Sequence, residues 1–492
     1  MSADKANYGT IRSVKKRDAR RSLVYRWRYQ IGYICLAGLF AFVLVFLSNT
    51  TPGGLSTEEV DSAIMSHNFG ENVLSESIID APFKLLQKAS ISILGLSLFS
   101  VKLPALILAF LSGLGMILLL NRWYKKNVAV LASTLAISTS LFLQMAVTGT
   151  PNAMYIFLPI AIMVMGLLIA GKRNPHVAAT FGMFATLALA LYSPFMIYVI
   201  AALAAATIIH PHLRFSIKNM PRPQLMAGLS LFTVLIVPLV VSAIRDINTL
   251  TELLAGDGLI GFNFLDRLKE AVLPFVSFNS PQDSATLVPI LGLATVALVL
   301  LGLTSSYKAR YTAKNYILVV WGIFALLAIT LEPRSVMILF LPIVVLMASG
   351  VEFILDTWYG LFPENPYARV GGLLPISFLV IVSVATSVWH FAYGYYYTPQ
   401  VARYFSNDIT LVNNHIEDGA AILAREESRE YEFYKIMENK GRVSVMSEAP
   451  KENPPLLIVL RDFENRHDIS MSLDRIVTSA KLDDSDRLYI YR

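Results

Sequence analysis

Two groups of carboxylates follow the first apolar run of this chain. Glu58, Glu59 and Asp61 form the first group, and Asp80 stands before a proline in the second. A carboxylate held where a membrane meets water can accept a proton from a hydroxyl group or organise a phosphate-bound metal ion. We therefore take Glu58 and Glu59 as candidate catalytic residues on a solvent-facing surface. Asp80 is a candidate ligand for a substrate or a divalent metal ion.

The same carboxylates also have a structural explanation. Both glutamates follow Ser56 and Thr57, which suit a helix N-terminus, and acidic side chains in a first turn interact favourably with the helix dipole. Asp80, two residues before Pro82, is equally suited to capping a turn. The sequence alone leaves the catalytic and the structural explanations open.

The composition predicts a membrane protein built from helices. Of its 492 residues, 55% are hydrophobic and 15% are charged, whereas soluble proteins carry about 25% charged residues. About eleven apolar runs approach the roughly 20 residues needed to cross a bilayer as a helix. We predict spans at about residues 29–48, 101–121, 128–147, 153–170, 177–192, 194–209, 225–244, 287–305, 316–331, 336–356 and 372–393. Around Tyr192 to Pro194, one long kinked segment is the alternative to two short spans.

The distribution of basic residues predicts the orientation. Lys and Arg concentrate in alternate connections, and the net charge of +6 comes mainly from these and the N-terminal tail, so it does not indicate nucleic acid. The positive-inside rule then places the N-terminus in the cytoplasm and, after an odd number of spans, the C-terminus outside the plasma membrane. We predict a basic cytoplasmic tail at 1–28, a transmembrane module at 29–393 with outside loops 49–100 and 245–286, and an extracytoplasmic domain at 394–492. Strand-length apolar runs around one helix-like stretch indicate that this last domain is a small α/β unit.

Several common chemistries lack their motifs in this chain. The sequence has no Walker-type phosphate loop, no nucleophile elbow, no HExxH pair and no His/Cys cluster with metal-ligand spacing. The apolar segments also contain few ionisable residues, which proton-coupled carriers usually need. ATP-driven transport and common hydrolase chemistry are therefore unsupported.

A resemblance to a known protein family is found in the segments 80–86, 93–97 and 101–105. They resemble the acidic-x-Pro-Pro-aromatic, Phe-Gly-hydrophobic-Ser and Arg-Leu-Pro-Ser motifs of the GT-C membrane glycosyltransferases, in the protein O-mannosyltransferase and aminoarabinose-transferase branch. Thr148–Asn152 stands where that branch has a Pro-Asp pair, and the Pro-Arg step at Arg334 resembles its Pro-Arg-Tyr segment. The resemblance covers roughly residues 30–400.

The resemblance implies an enzyme that moves a sugar from a polyprenyl-phosphate donor to an envelope or protein acceptor on the outer face. The partners would be membrane lipid, the lipid-linked donor and a glycan or protein acceptor, without nucleic acid. The family's catalytic Asp-Glu pair maps onto Glu58-Glu59, and a divalent metal ion at Asp80 is the one cofactor considered. The residues carried over as contacts to the substrate or its phosphate are Asp80, Lys102, Asn152 and Arg334.

Departures from the family pattern keep two alternatives open. Glu58 replaces the catalytic Asp, Phe83 replaces the second Pro, Lys102 replaces an Arg, and Asn152 cannot supply the expected negative charge. An inactive GT-C relative that binds lipid or glycan as a subunit of an envelope complex fits these departures. A transporter of lipid-linked glycan is the other alternative, and turnover with a polyprenyl-phosphate sugar separates the enzyme from both.

Overall fold

The computed structural model of the chain divides it into two compact units, Met1–Phe46 and Leu47–Arg492. The residues described are 23–50, 54–70, 77–170, 177–218, 220–254, 265–270, 291–309, 311–394, 405–406, 408–417, 419–426, 428–438, 443–450, 453–460, 463, 469–478 and 487–492. Most of the predicted cytoplasmic tail therefore lies outside the described residues.

Helices form where the sequence has long apolar runs. The helices before the C-terminal sheet are α1 (Leu23–Thr50), α2 (Thr57–Asn68), α3 (Ala81–Leu94), α4 (Leu98–Trp123), α5 (Lys126–Ile137), α6 (Ser140–Val147), α7 (Ala153–Ile169), α8 (Val177–Ala190), α9 (Met196–Ile209), α10 (Pro211–Lys218), α11 (Arg222–Arg245), α12 (Ile247–Leu254), α13 (Leu293–Lys308), α14 (Ala313–Leu331), α15 (Phe340–Leu361) and α16 (Pro366–Trp389). A 3-10 helix at Pro333–Leu339 precedes α15, and a π-helix at His390–Gly394 follows α16.

Each of the eleven predicted spans coincides with one of these helices or with a helix pair. Among the described residues, six helices are long and apolar enough to cross a membrane: Gln30–Thr50, Leu98–Trp123, Arg222–Arg245, Ala313–Leu331, Ser335–Leu361 and Val370–Tyr393. The pair α5 and α6, bent by 61°, makes a seventh if it is one span, and α7, α8, α9 and α13 are shorter apolar helices. Near Tyr192 the chain forms two helices rather than one kinked helix. The prediction of a helical, multi-pass membrane protein is confirmed.

Two glycines let α13 and α15 approach backbone to backbone. A Cβ atom on Gly302 would overlap the carbonyl group of Leu346, and one on Gly350 would overlap that of Leu298. Each glycine thus faces the residue four positions before its counterpart, so the two helices meet at a reciprocal contact. Small residues at such crossings are how helices pack closely in membranes, where burial from water supplies no driving force.

The C-terminal part contains a sheet, as predicted, and this sheet has five strands in mixed orientation. Its strands are β3 (Ala420–Leu423), β4 (Val443–Met446), β5 (Leu457–Val459), β6 (Leu473–Thr478) and β7 (Arg487–Tyr491), in the order β4-β3-β5-β7-β6. β3 pairs in parallel with β4 and β5, while β7 is antiparallel to β5 and β6. The predicted helix forms as α18 (Arg429–Glu438). The sequence analysis missed β6 and the helix α17 (Asp408–His415).

The sheet shares a hydrophobic core with the first outside loop. Ala63 and Ile64 of α2 are buried in the same cluster as Ile422 of β3 and Phe433 of α18. A two-residue strand β1 (Leu55–Ser56) pairs antiparallel with β2 (Phe405–Ser406). Because these contacts join the two regions in one core, the first loop and the sheet lie at the same end of the helix bundle.

Contacts between connections group them at two ends of the bundle. Connections predicted to be outside contact one another: the backbone N–H of Asp80 donates to Tyr192 O at 2.9 Å, and that of Phe195 donates to Leu253 O at 3.1 Å. At the predicted cytoplasmic end, Lys125 pairs with Asp356. The assignment of these ends to the outside and the cytoplasm follows from the positive-inside rule and stays a prediction.

The glycine contact between α13 and α15 gives a direct test of the bundle packing. Gly350→Ala should lower the apparent Tm of the detergent-solubilised protein, with a cost of about 1–3 kcal/mol, since the new methyl group forces the two backbones apart. Gly322→Ala in α14 is the matched control, because no atom lies within 4 Å of its added Cβ and Ala favours helix over Gly. Equal Tm values for the two variants would contradict this packing.

Candidate functional site

Glu59 is fully buried at the start of α2. Its Oε2 accepts a hydrogen bond from the backbone N–H of Ser56 at 2.7 Å, and the Ser56 hydroxyl accepts from the N–H of Glu59 at 3.2 Å, which completes a capping box. Its Oε1 accepts from the N–H of Gly149 at 2.6 Å. Both carboxylate oxygens are therefore engaged in holding the polypeptide together.

Lys102 supplies the positive charge that faces this carboxylate. It lies in the first turns of α4, fully buried, with its Nζ 3.8 Å from Glu59 Oε1. The same ammonium donates to Gly54 O at 2.9 Å and to Ser48 O at 3.5 Å. Burial of two charges is tolerated here because each ion also has polar partners that replace water. The structure thus places Lys102 beside Glu59, as the charge partner of one predicted catalytic residue.

A buried hydrogen-bond network extends this anchor to α3. The side-chain amide of Gln87 donates to Gly149 O at 2.9 Å and to Val101 O at 3.0 Å. Its Oε1 accepts from the hydroxyls of Ser62 and Ser66 on α2. A side chain at Gly149 would bring its Cβ within 2.7 Å of Val101 O, so only glycine fits. The segment Thr148–Asn152, singled out by the family resemblance, therefore acts here through its backbone.

Glu58 and Glu59 differ in their surroundings although they are neighbours in sequence. Glu58 is exposed, as predicted, whereas the prediction of a solvent-facing side chain is wrong for Glu59. Successive residues of a helix point about 100° apart, so α2 directs one glutamate to the core and the other to solvent. Asp61 Oδ2 lies 3.4 Å from Nη1 of Arg429 in α18. This ion pair connects the first loop to the C-terminal sheet region.

Asp80 forms a second cluster at the start of α3. It has a left-handed backbone conformation with φ of 55°, which non-glycine residues rarely adopt outside special sites. Among the described residues it makes no side-chain capping bond, and its Oδ1 is buried without a hydrogen-bond partner. Phe195, the only other non-glycine residue described with positive φ, lies in the neighbouring turn. Strain and an unsatisfied carboxylate oxygen at one junction are features typical of functional sites.

The electrostatic surroundings of Asp80 make it titrate near neutrality. Burial raises the pKa of Asp80 from 3.8 to about 6, while a hydrogen bond with Ser193 and the charge of Lys84 lower the pKa and the charge of Glu252 raises it. A carboxyl group with this pKa exchanges its proton in the range where enzymes work, which is a common property of catalytic and binding residues.

A cavity of about 520 Å³ opens beside this cluster. Residues of the first loop, among them Phe69 and Ile79, line one side, and the end of α11 with the start of α12 lines the other. Arg245, Asp246 and Glu252 contribute the charges on that second side. Hydrogen bonds to the carbonyl groups of α12 from Phe195 N–H and the Tyr198 hydroxyl hold this side in place.

Arg245 and Glu252 were not predicted as site residues. Both lie in or beside the predicted second outside loop, so their position was available, but no local motif marks them. Asn152, predicted to contact substrate, stands just before α7 and makes no side-chain capping bond among the described residues. Arg334 lies in the 3-10 helix before α15, and its side chain is outside the described part of the structure.

Three of the six predicted site residues thus occupy two clusters joined by α3. Glu59 and Lys102 form the first together with Gly149, and Asp80 forms the second, next to the cavity-lining residue Ile79. Gln87 of the first cluster and Asp80 stand two helical turns apart on or beside α3, a rise of about 10 Å. Among the described residues, no hydrogen bond or ion pair joins the carboxylate of Glu59 directly to that of Asp80.

The described residues do not make a divalent-metal site. No group of three or more His, Cys, Asp or Glu side chains among them could hold an ion. Asp80 has one further carboxylate, Glu252, in its electrostatic environment and the ammonium of Lys84 opposite it. A nearby positive charge opposes cation binding, so the donor set fits a polar substrate better than a metal ion.

Comparisons with known proteins address the fold. Residues 82–241 match the sequence model of the dolichyl-phosphate-mannose-protein mannosyltransferase family, and no curated protein sequence matches the chain. The structure is similar to that of ArnT from Cupriavidus metallidurans bound to undecaprenyl phosphate, with a TM-score of 0.51 and 13% identity over 94% of this chain and 98% of ArnT. The apo state of ArnT gives the same values. An Archaeoglobus fulgidus oligosaccharyltransferase with a tethered acceptor peptide gives a TM-score of 0.49 at 14% identity, over 85% of this chain and 64% of the enzyme.

The fold is that of the GT-C membrane glycosyltransferases, as the sequence resemblance predicted. The likeness to ArnT runs through nearly the whole of both chains, so it includes the C-terminal sheet as well as the helices. The family model spans α3 to α11, the segment that begins beside Asp80 and ends at the cavity.

The Glu59–Lys102 pair predicts a non-additive mutational response. Glu59→Gln should destabilise the protein by about 3–5 kcal/mol, because it leaves the Lys102 ammonium buried without a counter-charge. Glu59→Gln combined with Lys102→Met should recover part of that loss in thermal unfolding. Glu58→Gln is the control and should stay within about 0.5 kcal/mol, since its side chain is exposed. Additive effects in the double variant would show that the two charges are not coupled.

The raised pKa of Asp80 predicts that Asp80→Asn stabilises the protein at pH 7. Asn tolerates the left-handed backbone and removes the buried charge. Folded Asp80 holds a proton up to pH about 6, whereas the unfolded residue loses it near 3.8. The wild type therefore gains stability relative to the variant as pH falls from 6 to 4, and the difference in Tm should shrink over that range. A pH-independent difference would contradict the assignment.

Proposed function

We propose that this chain transfers a sugar from a polyprenyl-phosphate donor to an acceptor at the membrane surface where the first loop and the C-terminal sheet meet. The reaction belongs to the outer face, by the positive-inside argument. The acceptor is a glycan or a protein of the cell envelope.

The family-model match over residues 82–241 carries this proposal. The matched segment supplies α3 and α11, and the cavity lies between the loop before α3 and the end of α11. The lining is mostly apolar with a few charged groups, as expected for a ligand that has a lipid part and a polar head. ArnT, which shares the fold, was solved with undecaprenyl phosphate.

We propose that Arg245 binds the phosphate of the leaving group. This residue closes α11 at the cavity, is exposed, and makes no ion pair among the described residues. A guanidinium group can form two parallel hydrogen bonds to a phosphate. Lys102, the earlier candidate, is already committed to Glu59 and to backbone carbonyls. Glu252 lines the same cavity, where its carboxylate can accept hydrogen bonds from the hydroxyl groups of the sugar, and Asp80 follows the lining residue Ile79.

Glu58 is the better candidate for the general base. Its carboxylate is exposed, whereas both oxygens of Glu59 are occupied. In the proposed step the acceptor hydroxyl gives its proton to Glu58 while its oxygen bonds to the anomeric carbon. The bond from that carbon to the phosphate oxygen breaks, and the lipid phosphate leaves with the electron pair beside Arg245. Glu59 acts as a positioning residue that fixes the start of α2.

One observation favours the inactive-relative alternative. The residue at the second position of the acidic pair is bound entirely within the protein, and Asn152 stands where the family has an acid. A chain that keeps the fold and the cavity but lacks a base would bind the lipid phosphate without turnover. Wild-type protein that binds a polyprenyl phosphate and transfers no sugar would support this second function.

The enzyme proposal predicts distinct losses at the two charged positions. Glu58→Gln should lower transfer from a polyprenyl-phosphate sugar at least ~100-fold, the scale of a lost general base, with an unchanged apparent Tm. Arg245→Ala should lower transfer and weaken binding of the product polyprenyl phosphate, while Arg245→Lys should retain part of both.

Asp61→Asn is the matched control for Glu58→Gln, because it removes a neighbouring carboxylate from the same helix. It should keep most of the transfer activity. If the Glu58→Gln variant kept full activity and a folded Glu59→Gln variant were inactive, Glu59 would be the general base instead. Full activity in both would refute base catalysis by the acidic pair.

A further inference from the structure

The helix α10 (Pro211–Lys218) lies in a part of the chain that has no negative charge of its own. From Ala81 to Arg245 the sequence contains twelve Lys or Arg residues and no Asp or Glu. Lys125, in this stretch, finds a counter-charge in Asp356 of α15. The exposed residues Arg214 and Lys218 of α10 and Arg222 of α11 have no ion pair among the described residues. An anionic surface outside the protein can therefore reach these exposed cations.

The α10 helix presents two parallel rows of side chains. Leu213 and Ile217 are four residues apart and form an apolar row, and Arg214 and Lys218 form a basic row directly beside it. Ile217 is 41% exposed, and Phe215 beyond the basic row is 62% exposed. A helix with adjacent apolar and basic rows is typical of segments that lie in the interface of a membrane.

Contacts at both ends fix α10 against the bundle. Before it, the ring of His210 lies 5.5 Å from that of Tyr316 in α14. After it, Met220 is buried in a cluster with Ile169 of α7 and Ala179 of α8. These contacts on both sides of α10 hold the helix in a defined orientation at this end of the bundle.

The neighbouring helices show where the bilayer ends. Ile208 and Ile209 at the end of α9 are 69% and 55% exposed, and Met226 at the start of α11 is 61% exposed. Because α11 is a candidate span with only 11% of its apolar window buried inside the protein, lipid must cover these surfaces. α10 connects the two helices, so it runs where acyl chains give way to headgroups.

We propose that α10 is an interfacial helix that binds anionic lipid headgroups. Leu213 and Ile217 face the acyl chains, and Arg214, Lys218 and Arg222 bind headgroup phosphates. Each cation near an anionic surface favours association by about fivefold, so the patch selects anionic over zwitterionic lipid in the adjacent leaflet. The proposal concerns the end of the bundle remote from the cavity and does not depend on the proposed sugar transfer.

The first test measures lipid selectivity. Spin-labelled phosphatidylglycerol and phosphatidylcholine are compared for association with the full-length protein in phosphatidylcholine vesicles. Wild type should prefer phosphatidylglycerol at least ~2-fold, less so at high salt. Arg214→Gln combined with Lys218→Gln should lose most of that preference at unchanged Tm. The control combines Lys435→Gln with Arg475→Gln, which removes two exposed cations from the C-terminal sheet region. This variant should keep the preference for phosphatidylglycerol.

The second test measures the depth of the helix. An environment-sensitive fluorophore is attached to Ile217→Cys in a Cys35→Ser background, and the protein is placed in nanodiscs containing phosphatidylglycerol. Emission shifted towards that of an apolar medium, and quenching by lipid-attached quenchers, support the proposal. Water-like emission without quenching by the lipid-attached quenchers would overturn it. Equal lipid selectivity in wild type and the Arg214/Lys218 variant would overturn it as well.

Discussion

The buried carboxylate of Glu59 holds together parts of the chain that are far apart in sequence. It closes the first turn of α2, accepts the amide of Gly149 and faces the ammonium of Lys102. A buried ion without these partners would cost several kcal/mol, so the fold must bring all of them to the same point. The position of exposed Glu58 follows from this arrangement, since it shares the helix that Glu59 anchors. Glu59, which the sequence offered as a catalytic candidate, thus has a structural task, while its neighbour Glu58 stays exposed to solvent.

The end of the bundle that carries the C-terminal sheet is built from segments that support one another. The C-terminal sheet packs on α2 in a single core, and β1 pairs with β2. The second outside loop is tied to the turn at Phe195, and that turn is tied to Asp80. These contacts between segments help to retain the strained backbone of Asp80 and Phe195. The cavity between these segments is consequently a property of their assembly.

The two ends of the bundle use charge differently. At the end that carries the C-terminal sheet, several charged groups are buried, paired or close to a cavity, as with Lys102 and Asp80. At the opposite end, α10 carries exposed cations over a stretch of chain with no acidic residue. Buried charges provide fixed geometry, whereas exposed cations interact with a mobile layer of headgroups. This division is consistent with chemistry at one surface and anchoring at the other.

The sequence by itself determined the helical membrane class, the positions of the eleven apolar helical segments and four of the five strands of the main sheet. These features depend on local hydrophobic periodicity and run length, which the chain displays directly. The same local patterns gave Asp80 and the acidic pair as candidates through their motifs. Only the tertiary structure decided that Glu59 is buried while Glu58 is exposed, because a pair of adjacent glutamates carries no signal for which one meets Gly149 and Lys102. It also brought Arg245 and Glu252 to the cavity beside Asp80, since burial and long-range partners depend on how distant segments pack and not on any pattern within one of them.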